Sequence, residues 1–474
     1  MSGDAGAWSA LPLRAAAVAA PAAPAAARHR AWRSDPSPAI APALLLCTLL
    51  VLMVVPEGLD YAALAQAGSP AAGSAVSRAL WLGLFAGALL LIAWRAPLAL
   101  ALLRRLNPLL LPMVALAVAS VAWSIDPGLS ARRVFRLVTI LAVALAFVLY
   151  GWHARRAQAV LRPALTLLLL GSLAFGLAFP GLAIHTETAP ELAGAWHGLA
   201  NHKNGLGALA GIGLVFWVHA ALARQARALP VLVGLAAAGA CLLLSRSTTA
   251  AVAAAFGVGW LLFALGAPRA LRWALPALAV VLAVVLALAT FGLLGLVPGA
   301  GTLIDTVTAV TDKDGSLTGR TGIWAIVFEH VDLRPWLGSG YAAYWTGQPA
   351  PGNDSYAFIE RMNGFYPGSA HNGALEVLND LGGIGLAGLF AYLALHLRQA
   401  LQLQRIEPAQ AALWLGLFFQ LAVGNLSETR WFAVLSVDLV FMTVASAALA
   451  RALLQHRFVA RHGAAPLATR ASDG

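Results

Sequence analysis

The sequence predicts an all-α polytopic membrane protein with about twelve spanning helices and one large loop on its outer face. Its composition carries that expectation: 60% of the 474 residues are hydrophobic, only 11% are charged, and the mean hydropathy is +0.78. A soluble domain is typically about 45–50% apolar and about 25% charged. The chain therefore reads as one membrane-embedded body rather than a string of soluble domains.

A spanning helix needs about 20 mostly apolar residues. Such runs lie near 38–56, 79–94, 107–123, 134–152, 161–180, 205–221, 229–244, 249–267, 272–297, 380–397, 409–424 and 432–454. The third and seventh are short or crowded by their neighbours. An even number of crossings puts both termini on one side, and the positive-inside rule says which. With the N-terminus inside, the inner loops and tails collect most of the Lys and Arg, including Arg104, Arg105, Arg155, Arg156, Arg224, Arg227, Arg269 and Arg272. Of the acids, only Asp4, Asp35, Glu407 and Asp473 share that side, while Asp438 falls inside the last run. Membrane topology thus accounts for the net charge of +11, and no nucleic-acid partner is implied.

Residues 1–37 read as a disordered cytoplasmic tail, because repeated prolines interrupt their only weakly apolar stretch. Spans one to nine occupy 38–297, a large outer loop 298–378, the last three spans 379–454, and a second cytoplasmic tail 455–474. A connection that long is uncommon and usually functional. It holds Trp324, Trp336, Trp345, Tyr341, Tyr344 and Phe365, enough aromatic surface to fold against the membrane. The two cysteines, Cys47 and Cys241, sit in apolar runs and offer neither a disulfide framework nor a CxxC metal site.

Cations gather on the outer side against the topological trend. Arg132, Arg133 and Arg136 open the fourth run, and His197, His202 and Lys203 precede the sixth. Arg246 falls between runs seven and eight, Arg320 in the large loop, and Glu428 with Arg430 before the last run. Snorkelling or headgroup binding is the plain account of each. Arg246 is harder to explain so, since its loop is too short to leave the bilayer surface, where ionisable groups are usually functional. Guanidiniums converging on one outer site would suit a diphosphate, whose oxygens match the planar fork.

Other patterns fail. Asp312-Lys313-Asp314 has the letters of a DxD metal motif and reads as solvated loop. "GSGY" at 338–341 lacks the Lys-Ser/Thr of a P-loop. His197 and His202 are one ligand short of a convincing metal triad, so no metal is expected. Asp438 is either a proton-relay group or an acid satisfied by a neighbouring helix.

"AHNGALEVLNDLGGIGLAG", from Ala370 to Gly388, is the most informative stretch. Ala374, Leu375, Leu378 and Leu381 have helical spacing, and Asn372, Glu376 and Asp380 form a polar face at i, i+4, i+8. Gly382, Gly383 and Gly385 follow, where close packing is expected as the helix enters the bilayer. His371 thus sits near the start of an interfacial helix, whose dipole favours the neutral, proton-accepting imidazole. A capping or hydrogen-bonded structural histidine is the alternative.

Together these stretches resemble the O-antigen ligase / polysaccharide polymerase superfamily over about residues 40–450. The likeness is strongest from "TGRTGIW" through "RPWLGSGYAAYW" to "AHNGALEVLNDLGGIGL". The ligases' His-x10-Gly pattern is met by His371 and Gly382. Their Arg-x3-Leu pattern is met in part, because Arg246 is followed by Ala250. "HKNGLG" and "WSIDP" resemble further family segments, and "HKN" with "RPWLGSGYAAYW" is more similar to the exopolysaccharide polymerases.

The resemblance implies a GT-C-like fold and an inverting, metal-independent glycosyl transfer, without cofactor, at the periplasmic face of the bacterial inner membrane. The donor would be an undecaprenyl-pyrophosphate-linked oligosaccharide. The acceptor would be a lipid-linked glycan in a polymerase or lipid A-core in a ligase, with other polysaccharide assembly proteins as partners. It makes His371 the general base. Arg246 and Arg320, with Lys203 and Arg136, would hold the pyrophosphate, supported by Asn372, His202, Glu428 and Arg430. A transporter or flippase would also suit twelve helices, but it should show broken helix pairs in two related halves.

Overall fold

The computed structural model describes residues 40–56, 75–150, 154–186, 192–296, 318–346, 357–362, 366–432 and 436–462. The expected tail 1–37, the last residues from 463, Asp312–Asp314 and Phe365 lie outside these. Fourteen helices matter to the argument. They are α1 (Ile40–Val54), α2 (Ala75–Trp94), α3 (Ala96–Leu103), α4 (Leu110–Ala119), α5 (Pro127–Tyr150), α6 (Ala154–Ala178) and α7 (Lys203–Leu222). Then come α8 (Ala228–Leu244), α9 (Thr248–Gly266), α10 (Leu275–Leu293), α11 (Thr318–Leu333), α12 (Gly373–Gln404), α13 (Pro408–Gly424) and α14 (Val437–His462). Among the described residues, the extended structure is one isolated antiparallel bridge between Ile184 and Trp196.

Among the described residues, eight helices are long and apolar enough to cross a membrane, namely α2, α5, α6, α7, α9, α10, α12 and α14. The fold is that of a polytopic helical membrane protein. Shorter apolar helices, α1, α4, α8 and α13, fall on the other expected runs. Each of α8 and α13 has 17 residues. At a rise of 1.5 Å they reach only about 25 Å, short of a hydrocarbon core of about 30 Å.

The third run holds only the ten residues of α4 and a short 3₁₀ turn, Ser120–Ala122, while α3 lies before it, in the connection expected as an inner loop. Helices α3 and α4 are separated by Arg104–Leu109, where buried Asn107 donates from Nδ2 to Tyr392 O at 2.9 Å and accepts from Leu109 N at 3.1 Å. Its amide pins the break to α12. Of the eight long helices, α14 is the most buried, whereas α2 and α10 lie at the rim. The most extensive helix contact joins α9 to α13. A Cβ on Gly257 would lie 2.9 Å from Gly416 O, and one on Gly416 would lie 3.0 Å from Gly257 O. Small residues let those backbones meet, as van der Waals packing in a membrane requires.

The tenth run also differs from its expected form. Helix α12 starts at Gly373 and is interrupted at Gly382, whose φ of 66° and ψ of −167° are not helical. The close packing expected at Gly382 is with chain backbone, not another helix: a Cβ there would stand 2.2 Å from Trp336 C. The segment after α11 runs across the break and satisfies its open backbone groups. Gly383 N donates to Pro335 O at 2.7 Å, Ser339 N to Asn379 O at 2.9 Å, and Gly340 N to Asp380 O at 3.0 Å. The described part of the large loop has its own apolar core, formed by Trp324, Tyr344, Trp345 and Phe358 with Ala370 and Leu375. Trp336 does not join it and stays 72% exposed.

Candidate active site

Polar side chains collect at one end of the bundle, where α7, α9, α12 and α14 begin and α8 and α13 end. Asn372 caps α12 by accepting from Ala374 N and Leu375 N, each at 3.0 Å. The cap role therefore falls to Asn372, and His371 stands one residue outside the helix with its backbone at φ 47°. His371 Nδ1 is 3.9 Å from Glu428 Oε2, an ion-pair distance longer than a hydrogen bond.

Glu428 is the hub. Its Oε1 accepts from Asn204 Nδ2 at 2.7 Å and from Arg320 Nη2 at 3.2 Å. Burial opposes its ionisation, but His371, then Arg430 and Arg320, outweigh that and push its pKa down to about 2. The residue is a carboxylate at any physiological pH. Burial likewise lowers the pKa of the Arg320 guanidinium, and the Glu428 charge opposes it. Arg430 donates to Asp438 Oδ2 at 3.0 Å and to Asn204 O at 2.8 Å. Asp438 is thus an acid held by a neighbouring arginine. Asn204 Oδ1 in turn accepts from Ser247 Oγ at 2.8 Å. A small recess is lined by Asn204, Ser247, Thr249, Glu428, Arg430 and Asp438 among others.

His202 caps α7 by accepting from Asn204 N through Nδ1 at 3.2 Å. A third histidine, His185, joins it, with ring centroids 5.1 Å from His202 and 4.8 Å from His197. His185 Nε2 accepts from Lys203 N at 3.2 Å. Burial, reinforced by His185, lowers the pKa of His202 to about 4, so this cap stays neutral. The trio packs edge to face. Among the described residues, no three His, Cys, Asp or Glu side chains are disposed to hold a metal ion.

The structure therefore gathers His371, Asn372, Arg320, Glu428, Arg430, His202 and the start of α7 at Lys203. Arg246 is exposed at φ 50° and donates to Ala193 O at 3.1 Å. Arg136 lies apart, its guanidinium 5.5 Å above the Trp81 ring on α2. Its neighbour Arg133 is the one that turns inward, donating to Ala342 O and, at 3.2 Å, to Trp345 O. One helical turn decides between them, and charge alone does not mark it. Sequence reasoning also passed over Asn204 and Ser247. The signal for Asn204 was the last letter of "HKN"; for Ser247 there was none beyond its position before a helix.

Residues 232–390 match the family described as O-antigen ligase. This third of the chain is similar to that family. The match contains Arg246, Arg320, His371 and Asn372, while Lys203, Glu428 and Arg430 lie outside it. A stretch of 89 residues is 34% identical to the exopolysaccharide production protein ExoQ of Rhizobium meliloti (strain 1021). That likeness covers 18% of this chain and 19% of the relative, so it spans about a fifth of ExoQ. Both similarities point to O-antigen ligase- or polymerase-type proteins of polysaccharide biosynthesis.

Proposed function

We propose that this protein is a bacterial inner-membrane glycosyltransferase that extends undecaprenyl-pyrophosphate-linked glycan at the periplasmic face during exopolysaccharide or O-antigen synthesis. One observation carries the reading: His371, inside the O-antigen ligase match, faces a carboxylate, Glu428, that is itself held by Arg320 and Asn204. An imidazole beside a fixed anion is arranged to accept a proton and to be stabilised once charged.

In this reading His371 removes the proton from an acceptor hydroxyl as its oxygen attacks the anomeric carbon from the face opposite the leaving group. The bond from that carbon to the pyrophosphate oxygen breaks, the configuration inverts, and the proton stays on the imidazole facing Glu428. Such a base typically contributes about 10²–10⁴-fold. Arg320 has guanidinium N–H groups beyond the one given to Glu428, and these would neutralise the departing pyrophosphate. Arg246 and Lys203 would bind that group from the rim. Arg136, stacked on Trp81, is better suited to a lipid headgroup.

The proposed transfer would need no metal and no cofactor. Both termini would be cytoplasmic, with 298–378 outside, and the helical scaffold would be GT-C-like. Polymerase is preferred to ligase on the resemblance of "HKN" and "RPWLGSGYAAYW" to the exopolysaccharide polymerases. A flippase fits less well, since His371, Arg320, Glu428 and Arg430 are gathered at one end of the bundle. The test is reconstitution in proteoliposomes with EDTA and lipid-linked repeat units as the only substrate. Longer lipid-linked chains are expected. Product formed only after lipid A-core is added would make the protein a ligase, and no transfer in either case would refute both.

A further inference from the structure

The polar face of the first segment of α12 has no part in the chemistry above, yet all three of its members are buried. Each ties a different piece of chain to the helix. Asn372 Nδ2 donates to Leu426 O at 3.2 Å, and Asp380 Oδ2 accepts from Ala342 N at 2.8 Å. Glu376 Oε2 accepts from Ala370 N at 2.7 Å and from Thr429 Oγ1 at 3.2 Å.

The places Glu376 touches are telling. Ala370 precedes His371, and Thr429 follows Glu428. One carboxylate oxygen thus joins the immediate neighbours of the two groups that stand 3.9 Å apart. A buried carboxylate is costly, and an apolar side chain would fill the same space more cheaply if packing were its only task. The backbone at His371 is also strained. A φ of 47° is uncommon for a residue other than glycine and persists only where the surroundings over-determine it. Anchoring Ala370 N is one such constraint, and His371 N adds a contact to Ser369 Oγ at 3.4 Å.

We propose that Glu376 is a positioning residue for glycosyl transfer: through Ala370 and Thr429 it sets the reach between His371 and Glu428. It touches neither substrate nor pyrophosphate. The inference rests on reading His371 as the base.

Three variants separate reach from charge. Glu376→Gln keeps an acceptor oxygen at the same reach without the charge, Glu376→Asp keeps the charge one methylene short, and Thr429→Val removes the hydroxyl alone. Transfer is measured with purified protein in proteoliposomes, separating kcat from KM for the lipid-linked donor. Glu376→Asp should lose about 10²-fold in kcat, the scale of an ångström-sized misplacement, with KM unchanged. Glu376→Gln should keep most of its activity. Thr429→Val should fall between them and add little on top of Glu376→Asp.

Normal kcat in Glu376→Asp, or a loss expressed mainly in KM, overturns the proposal. Should the Glu376 variants not fold, normal kcat in Thr429→Val overturns it equally. His371→Ala run alongside locates the failure. Retained activity there removes the base and this inference together. An inactive His371→Ala beside a normal Glu376→Asp removes the positioning role alone.

Discussion

At the scale of single residues, the site depends on which charges are satisfied and by what. Arg320 meets Glu428 through one nitrogen, and its remaining donors suit phosphate oxygens as a planar fork. Lysine keeps the charge without the fork. Arg320→Lys should therefore retain part of the transfer rate and Arg320→Ala lose most of it, while Arg136→Lys should be close to normal. Equal, near-normal rates for both Arg320 variants in the proteoliposome assay would take this arginine out of the reaction. His202 offers a stability test. Its pKa falls from 6.5 in the free side chain to about 4 in the fold. As pH drops below 6.5 the unfolded chain takes up a proton that the folded one refuses, so stability declines progressively down to about pH 4. Asparagine also caps helices but does not titrate there. The thermal midpoint of His202→Asn should fall less steeply between these pH values than that of the parent protein. Parallel slopes would contradict the assignment. Glu428 acts in a lower window. With its pKa down at about 2, its contribution is complete above about 4.5 and is lost toward 2.

At the scale of elements, the break in α12 is the feature on which the site is built. It frees backbone groups at 379–384, and the 335–340 segment takes them up, so the large loop is fastened to the same helix that presents His371. Gly382 is required twice, for its φ of 66° and because a Cβ would meet Trp336 backbone at 2.2 Å. Gly382→Ala should cost at least about 1–3 kcal/mol from the backbone conformation alone, lowering the thermal midpoint and the transfer rate together. Gly383→Ala is the control. Its Cβ would lie 3.4 Å from Pro335 O, an ordinary contact, so little change is expected. Similar midpoints for the two variants would show that the break tolerates a side chain.

For the whole molecule, the polar ends of α7, α9, α12 and α14 define one face of the bundle, and the proposed topology puts that face outside. Glu360 and Arg405 are exposed and should lie on opposite sides of the membrane. With Cys47 and Cys241 replaced, a cysteine at 360 should react with an impermeant maleimide in intact spheroplasts, and one at 405 only after lysis. The reverse pattern would invert the molecule and move His371 to the cytoplasm.

Composition and hydropathy were enough to determine the helical membrane class and where apolar helices lie along the chain, though not the form of the third and tenth runs, because a bilayer admits few ways of satisfying a backbone. The local pattern after Ala370 was equally legible: a helix start, a histidine near it, and a polar face at i, i+4, i+8. Contacts between distant segments were not. That Asn204, Arg320, His371 and Glu428 share one neighbourhood follows from how α7, α11, α12 and the turn before α14 pack, and helical periodicity does not encode the order of helices around a bundle. The same holds for the choice of Arg133 over Arg136. Both are apt cations on one helix, and only the packing of α5 against the 342–345 segment selects which one bonds that segment. Tertiary structure also gave Gly382 its reason, since the chain that crosses the break comes from 335–340, more than forty residues away in sequence.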